Sequence, residues 1–135
     1  MITLDASVIV AALIPSSAST ELFRHGRDVW ADVQSGRVSV CQPVHWLAET
    51  AGVLARLSPE SAEADTALLH ALEWQTFDEV EIWSRAVRLS TELKHHLFDT
   101  LYHAVALETG STMMTADARY FRKASELGNI RFLGG

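Results

Sequence analysis

The hydrophobic positions of this chain alternate between short, β-branched runs and longer segments with helical spacing. Residues 2–5 form the first such run, and the Ala-rich stretch 6–13 after it favours a helix. The same pattern predicts further strands over 38–41, 76–82, 111–115 and 130–133, and helices over about 19–34, 43–57, 58–74, 83–95, 98–110 and 116–126. Strands that alternate with helices predict an α/β fold with a mostly parallel central sheet of four to five strands, covered on both faces.

Two helix ends carry recognisable capping residues. Ser58, Pro59 and Glu60 supply an N-cap, a first-turn proline and a first-turn acid, so the helix over 58–74 is expected to begin there. Gly110 lies where the apolar stripe of the preceding helix stops, and glycine favours the left-handed conformation of a helix C-terminus. The spacing therefore predicts both boundaries as well as the helices themselves.

Composition narrows the class of protein. With 135 residues, of which 48% are hydrophobic and 21% charged, the chain is expected to form one domain spanning 1–135. Its single cysteine, Cys41, excludes an internal disulfide framework and a cysteine-based zinc site. The apolar run 6–14 has no basic residues before it and is too short for a membrane span, so we expect a cytoplasmic protein without a membrane partner. A net charge of −6 argues against a broad basic face for nucleic acid.

Two acids follow predicted strands directly. Asp5 ends the first strand inside an apolar run, and Asp117 comes immediately after the strand 111–115. In parallel sheets, ligands bind beyond the carboxyl ends of the strands, which is where both side chains would lie. Each also has an ordinary explanation, because an aspartate at this point is a good N-cap for the helix that follows.

Two further acids lie on predicted helices. Glu49 falls near Trp46 and Val53 on one side of its helix, so an acid stands among apolar neighbours. Its ordinary explanation is a boundary residue that reaches water. Asp99 lies in the first turn of its helix, where a negative charge also suits the helix dipole. The case for function is therefore the joint arrangement of four acids rather than any one of them.

Four carboxylates gathered at one edge of a sheet would repel one another unless a cation neutralises them. Oxygen ligands of this kind suit a hard divalent ion, and Mg²⁺ or Mn²⁺ is the expected cofactor. Such a site activates a water and stabilises charge that develops on a phosphate. The chemistry that the acids imply is phosphodiester hydrolysis.

Four short motifs now support a resemblance to a known family. They are Leu4-Asp5-Ala6-Ser7, Leu47-Ala48-Glu49-Thr50, Phe98-Asp99-Thr100-Leu101-Tyr102-His103-Ala104, and Thr115-Ala116-Asp117 with Phe121 after it. In this order, and with these elements between them, they resemble the PIN-domain nucleases over residues 2 to about 132. With its single-domain length, the chain resembles a VapC-type toxin of a toxin–antitoxin pair.

The resemblance implies a three-layer α/β/α PIN-like fold and a Mg²⁺- or Mn²⁺-dependent endoribonuclease. It implies RNA as the substrate, a homodimer, and a VapB-type antitoxin that inserts a peptide into the active-site groove. By position, the catalytic and metal-binding acids would be Asp5, Glu49, Asp99 and Asp117. Ser7 and Thr115 match hydroxyl positions of the family and would orient Asp5, Asp117 or a metal-bound water. The alternative is a PIN-like protein that has lost catalysis and serves as a binding or scaffold module.

Basic and histidine side chains near these acids add weaker hypotheses. His103 is a candidate for contact with substrate phosphate, and so are three basic residues after the last acid: Arg119, Arg122 and Lys123. Basic residues on a helix are also commonly just solvated. A zinc site would draw on His95, His96, Asp99 and His103. An oxygen-rich site nevertheless prefers hard cations over zinc.

Other phosphate-handling classes lack their motifs. The chain contains neither GxGxxG nor GxxxxGK[ST], so no glycine-rich loop for a nucleotide is predicted. A haloacid-dehalogenase-like phosphatase would need a second aspartate where this chain has Ser7, and a receiver domain would need an acidic pair after the first strand.

Overall fold

A computed structural model describes all 135 residues, which form five short strands and seven α-helices. In chain order the elements are β1 (Ile2–Leu4), α1 (Ala6–Leu13), α2 (Thr20–Gln34), β2 (Cys41–Pro43), α3 (Trp46–Leu57), α4 (Ala62–Ala71), β3 (Gln75–Phe77), α5 (Val80–Leu93), α6 (Leu97–Thr109), β4 (Thr112–Thr115), α7 (Ala118–Ala124) and β5 (Ile130–Phe132). No helix combines the length and the apolar character needed to cross a membrane.

All strand pairs are parallel, which confirms the predicted mixed α/β class with a parallel sheet. One set of strands has the order β1-β4-β5 and the other pairs β2 with β3. A parallel bridge between Ile2 and Val40 joins the two sets. Since every strand runs the same way, their carboxyl ends meet at one edge, where β1 and β4 are direct neighbours.

A buried amide side chain completes the pairing between β1 and β2. The Leu4 backbone N–H donates to Gln42 Oε1 at 2.8 Å, and Gln42 Nε2 donates to the Leu4 carbonyl oxygen at 2.9 Å. Gln42 is fully buried. Its side-chain amide makes the two hydrogen bonds that a neighbouring strand's backbone would otherwise make. Both backbone polar groups of Leu4, the residue directly before Asp5, are therefore satisfied.

Helices α1 and α6 lie deepest in the fold. Six of the eight residues of α1 are buried, and so is every residue of α6 from Thr100 to Ala106. Helices buried to this extent belong to the core, and other elements enclose both of them. Asp5 stands at the start of α1 and Asp99 in the first turn of α6, so both acids project from largely buried helices.

Several predicted boundaries need correction. The prediction that Ser58 caps the next helix is wrong, because α4 begins only at Ala62 and the Ser58 N–H instead donates to the Leu54 carbonyl at 2.8 Å to close α3. The Ser58 hydroxyl contacts Glu60 at 2.9 Å and Ser61 at 2.7 Å, so these residues form a polar turn between the two helices. The capping residues are present, but their donors and acceptors serve a turn rather than a helix start.

Two strand positions also differ from prediction. The strand expected over 38–41 lies at Cys41–Pro43, and the helix expected from Pro43 starts at Trp46. The strand expected over 76–82 ends at Phe77, and its second half is the first turn of α5. By contrast, Gly110 ends α6 as predicted, with a left-handed φ of 75°.

Candidate active site

Asp5 is the most enclosed acid of the site and is held from two elements. Its side chain is only 4% exposed, directly after β1. Thr115 Oγ1, from the end of β4, donates to Asp5 Oδ2 at 2.7 Å, and the Ser7 hydroxyl donates to the same oxygen at 3.1 Å. The Ser7 backbone N–H approaches Oδ1 at 3.4 Å, as an N-cap contact of α1.

The same two hydroxyls also join β1 to the loop that carries Asp117. The Ala116 N–H donates to the Ser7 hydroxyl at 3.0 Å, and the Asp117 N–H donates to Thr115 Oγ1 at 3.0 Å. Each hydroxyl therefore donates to Asp5 and accepts from the backbone beside Asp117. These four hydrogen bonds fix the ends of the two strands relative to each other.

Glu49 reaches the site from α3 and is half-buried. The Tyr102 hydroxyl, on α6, donates to Glu49 Oε1 at 2.9 Å, and Tyr102 itself is fully buried. Burial is the main cause that raises the pKa of Glu49; the Tyr102 hydrogen bond lowers it and the charge of Asp99 raises it again. Burial and the nearby carboxylates hold the pKa of Tyr102 well above its usual value, so the phenol stays a donor.

Asp99 is oriented by a histidine one turn earlier. His95 Nε2 lies 2.6 Å from Asp99 Oδ2, and His95 Nδ1 lies 3.2 Å from Lys123 Nζ. An ammonium group only donates, so the Lys123 contact assigns Nδ1 as the acceptor and places the imidazole proton on Nε2. His95 therefore donates through Nε2–H to the Asp99 carboxylate.

Three of the four predicted acids come together. Asp5, Glu49 and Asp99 each offer a carboxylate oxygen, and these oxygens lie within 4.8 Å of one another. Asp117 is not in this group; its Oδ1 accepts from the Arg119 N–H at 2.9 Å and caps α7. It belongs to a second group, with His95 and Asp99, whose ligand atoms also lie within 4.8 Å of one another. Asp99 is the member shared by both groups.

The electrostatics of this arrangement fit a divalent cation. Burial, followed by the charge of Asp99 and then that of Glu49, raises the pKa of Asp5 from 3.8 to about 7, although the Thr115 and Ser7 hydrogen bonds lower it. The three carboxylates therefore cannot all ionise without cost. A hard ion with oxygen ligands, such as Mg²⁺ or Mn²⁺, would remove that cost, and the donor set suits it.

All four predicted acids, Asp5, Glu49, Asp99 and Asp117, line one end of a cleft of ≈ 390 Å³. Its other end is apolar and is lined by side chains of α1, α2 and α3, including Val10, Leu22, Val53 and Leu57. The cleft is thus anionic where the strands end and hydrophobic farther away.

The structure corrects one sequence-based candidate. His103 is fully buried, with Nδ1 3.0 Å from the Tyr120 hydroxyl and Nε2 2.8 Å from the Gly128 carbonyl oxygen. Burial lowers its pKa. The expected contact of His103 with substrate phosphate is therefore wrong, because both ring nitrogens are occupied within the core. Arg119 and Lys123 line a separate polar pocket, and Arg122 is exposed outside it.

Sequence reasoning misses the role of Tyr102 and underrates that of His95. The helical pattern places Tyr102 in the apolar stripe of α6, yet it lies three residues after Asp99 and aims its hydroxyl at Glu49. A tyrosine on the acid-bearing face of a buried helix is the signal that could have shown it, because a buried phenol needs a polar partner. His95 lies four residues before Asp99, a spacing that places both on one helical face.

Comparisons with known proteins identify the fold and the family of the chain. Among solved structures, the chain superimposes on a toxin–antitoxin complex from Klebsiella pneumoniae with a TM-score of 0.67 and 14% sequence identity, over 98% of each chain. It also superimposes on FitAcB from Neisseria gonorrhoeae with a TM-score of 0.60 and 20% identity, over 98% of this chain and 96% of that one. No curated protein matches the sequence. The sequence model of the PIN domain matches residues 2–127. With that match over nearly its whole length, the chain belongs to the PIN domain family.

Proposed function

We propose that this protein is a metal-dependent endoribonuclease and the toxin of a toxin–antitoxin pair. The observation that carries the proposal is the group of three carboxylates, Asp5, Glu49 and Asp99, whose oxygens lie within 4.8 Å of one another at the carboxyl edge of a parallel sheet. PIN domains are generally nucleases, which supports hydrolysis of a nucleic acid. One structural neighbour is a toxin–antitoxin complex, which supports the biological setting.

Each acid has a distinct position in the proposed mechanism. Asp5, Glu49 and Asp99 would hold Mg²⁺ or Mn²⁺, and Asp117, which lines the same cleft and has a ligand atom within 4.8 Å of Asp99, would act beside it. When bound, the ion supplies activation of water and neutralisation of charge on the phosphate. The chain's own residues keep the ligands in place: Ser7 and Thr115 for Asp5, Tyr102 for Glu49, and His95 for Asp99.

The cleft supports an antitoxin peptide as the inhibitor. Its apolar end offers Leu22, Val53 and Leu57 to hydrophobic side chains, while its acidic end attracts a basic one. A peptide that places an arginine or lysine among the carboxylates would compete directly with the cation. The partner expected from the sequence, a VapB-type antitoxin, would then block metal, substrate or both.

A homodimer remains part of the proposal. Helix α5 presents three apolar side chains on one face, with Val80 69%, Trp83 36% and Val87 52% exposed. Their spacing of three and four residues forms a continuous stripe of the kind that a second copy covers in a two-fold dimer. Light scattering of the purified protein tests this directly, and Val87→Glu should convert a dimer into a monomer.

The function is tested by incubating the partner-free protein with structured RNA in Mg²⁺ or Mn²⁺. Cleavage should disappear in EDTA and in Asp5→Asn. Persistent cleavage under either condition would refute the metal mechanism. If no RNA is cleaved although the protein is folded and binds Mn²⁺, the better interpretation is an inactive binding or scaffold module. We do not expect this result, because all four acids are present in the sequence.

A further inference from the structure

A second pocket borders the carboxylate site through His95, which lines this pocket and also contacts Asp99. It has a volume of ≈ 410 Å³ and is lined by residues of α5, α6, α7 and the connection between α5 and α6: Ser90, Lys94, His95, His96, Leu97, Arg119 and Lys123. No acid lines it. The chain has a net charge of −6 and contains only two lysines, and both are here. This concentration of positive charge contrasts with the rest of the protein.

The pocket is built by defined contacts between helices. Lys94 ends α5 in the left-handed conformation, with φ 52°, and so turns the chain sharply toward α6. The Ser90 hydroxyl donates to the His95 carbonyl oxygen, and Lys123 Nζ donates to the Lys94 carbonyl oxygen at 3.1 Å. These bonds tie α5 and α7 to the connection that forms the rim.

The cations of this pocket are not neutralised by acids. Two arginines of the chain form salt bridges, Arg37 with Asp32 and Arg85 with Glu108, but neither is near this pocket. Lys123 donates to the Lys94 carbonyl oxygen and contacts the His95 ring, and neither group is an acid. The side chains of Lys94 and Arg119 take part in no ion pair. Their positive charge is thus available to an anion from solution, and a guanidinium matches phosphate oxygens well.

We propose that this basic pocket binds a backbone phosphate of the RNA strand next to the phosphate that is cleaved. The proposal rests on the proposed function. His95 lines the pocket and also donates to Asp99 at 2.6 Å, so one imidazole separates the two sites. The phosphates of an RNA strand are regularly spaced. A pocket for one phosphate beside the site that cleaves at the next would explain why a basic pocket borders an acidic one. Leu97 is the pocket's one hydrophobic lining residue, so a peptide would gain little apolar burial there.

The test measures binding of a labelled 12-nucleotide single-stranded RNA in EDTA, where metal-dependent cleavage is absent. Arg119→Gln and Lys94→Asn each remove one charge, and asparagine tolerates the left-handed backbone of position 94. We expect each to weaken binding about fivefold, as the loss of a charged hydrogen bond implies. In the double variant, the slope of log affinity against log salt should fall by about 0.7, the value for one neutralised phosphate on a single strand.

Matched variants locate the effect. Arg119→Lys keeps the charge and should restore most of the affinity, and Arg27→Gln makes the same charge change on the exposed surface of α2, outside the pocket. Arg27→Gln should leave the salt slope unchanged. If Arg27→Gln weakens RNA binding as much as Arg119→Gln does, general electrostatics explains the loss and the pocket assignment falls.

Two further arms separate this inference from the proposed function. In the first, a 12-residue poly-aspartate peptide replaces RNA in the same assay. If the pocket variants no longer bind the peptide but still bind RNA as wild type does, the pocket serves an acidic protein partner and our proposal is wrong.

In the second, cleavage is measured with Mn²⁺. The pocket variants should raise KM for RNA cleavage and leave kcat and Mn²⁺ affinity unchanged. If the wild-type protein cleaves RNA and both pocket variants have the same KM as wild type, the pocket proposal alone is wrong. Wild-type protein that neither binds nor cleaves RNA would overturn both.

Discussion

Replacing Asp5 by asparagine should stabilise the metal-free protein while abolishing its response to metal. Asparagine has nearly the same shape, and its amide oxygen can still accept from Thr115 Oγ1, which donates to Asp5 at 2.7 Å. What the change removes is a negative charge that is 4% exposed and faces Glu49 and Asp99. A buried charge without a partner costs free energy, so removing it favours the folded state.

The magnitude follows from the pKa of Asp5, which burial and the neighbouring carboxylates raise from 3.8 to about 7. A raised pKa means that the folded protein holds a proton that the unfolded chain has released. Wild-type stability should therefore fall as the pH rises from about 4 to about 7, and the full cost is present above that range. At about 1.4 kcal/mol per pKa unit, the cost approaches about 4 kcal/mol. The Asp5→Asn variant has no carboxyl group to ionise at this position, so its stability should not carry this cost.

Urea unfolding in EDTA at pH 5 and pH 8 measures this difference. The advantage of Asp5→Asn should be about 2 to 3 kcal/mol larger at pH 8, because much of the ionisation cost is not yet present at pH 5. Mn²⁺ at 100 times its dissociation constant should then stabilise wild type by about 2.7 kcal/mol and leave the variant unchanged. Asp28→Asn, on the exposed surface of α2, serves as the control and should change stability by less than about 0.5 kcal/mol. An Asp5→Asn protein less stable than wild type at pH 8, or an advantage that does not vary with pH, would refute this reasoning.

Three other substitutions test the groups that hold the site. Tyr102→Phe removes the 2.9 Å hydrogen bond to Glu49 and should weaken Mn²⁺ binding about tenfold by calorimetry, with less than about 1.5 kcal/mol lost from stability. His95→Leu should weaken Mn²⁺ binding roughly 10- to 100-fold by removing the donor to Asp99, whereas His95→Gln can still donate and should recover most of it; equal losses would show that the hydrogen bond is unimportant. Gln42→Leu leaves two polar groups of β1 unpaired and should lower the free energy of unfolding by about 3 kcal/mol in urea titrations, without changing m.

The parallel α/β fold is predictable from the sequence because its signal is local and repeated. Short extended segments alternate along the sequence with longer segments whose apolar residues follow an i, i+3, i+4 period, and this alternation predicts the fold class even though the strands have only three or four residues. Boundaries are less predictable. The sequence pattern favours a helix that opens at Pro43, but Pro43 ends β2, since a proline tolerates a strand end where no N–H is needed. Local sequence does not reveal which neighbour a residue will pair with.

The acids are predictable, but their partners are not. Asp5, Glu49 and Asp99 stand out in the sequence because each places a charge in an apolar, strand-end or helix-start context, and the fold brings their oxygens together. The hydrogen bond from Tyr102 to Glu49 joins residues 53 positions apart, and that from Thr115 to Asp5 joins residues 110 apart. Such contacts depend on how α3, α6 and β4 pack, which no local pattern encodes.

The geometry also divides four similar acids into unequal roles. Asp117 commits Oδ1 to the backbone N–H groups of Arg119 and Tyr120, at 2.9 and 3.1 Å, so part of its charge already stabilises the start of α7. Asp5 instead receives hydrogen bonds from two hydroxyls, and these do not prevent its pKa from rising to about 7. The acid whose charge is least compensated by the protein gains most from a cation. On this argument we propose Asp5 as the acid that a cation would stabilise most, with Asp117 at a neighbouring position that Asp99 shares.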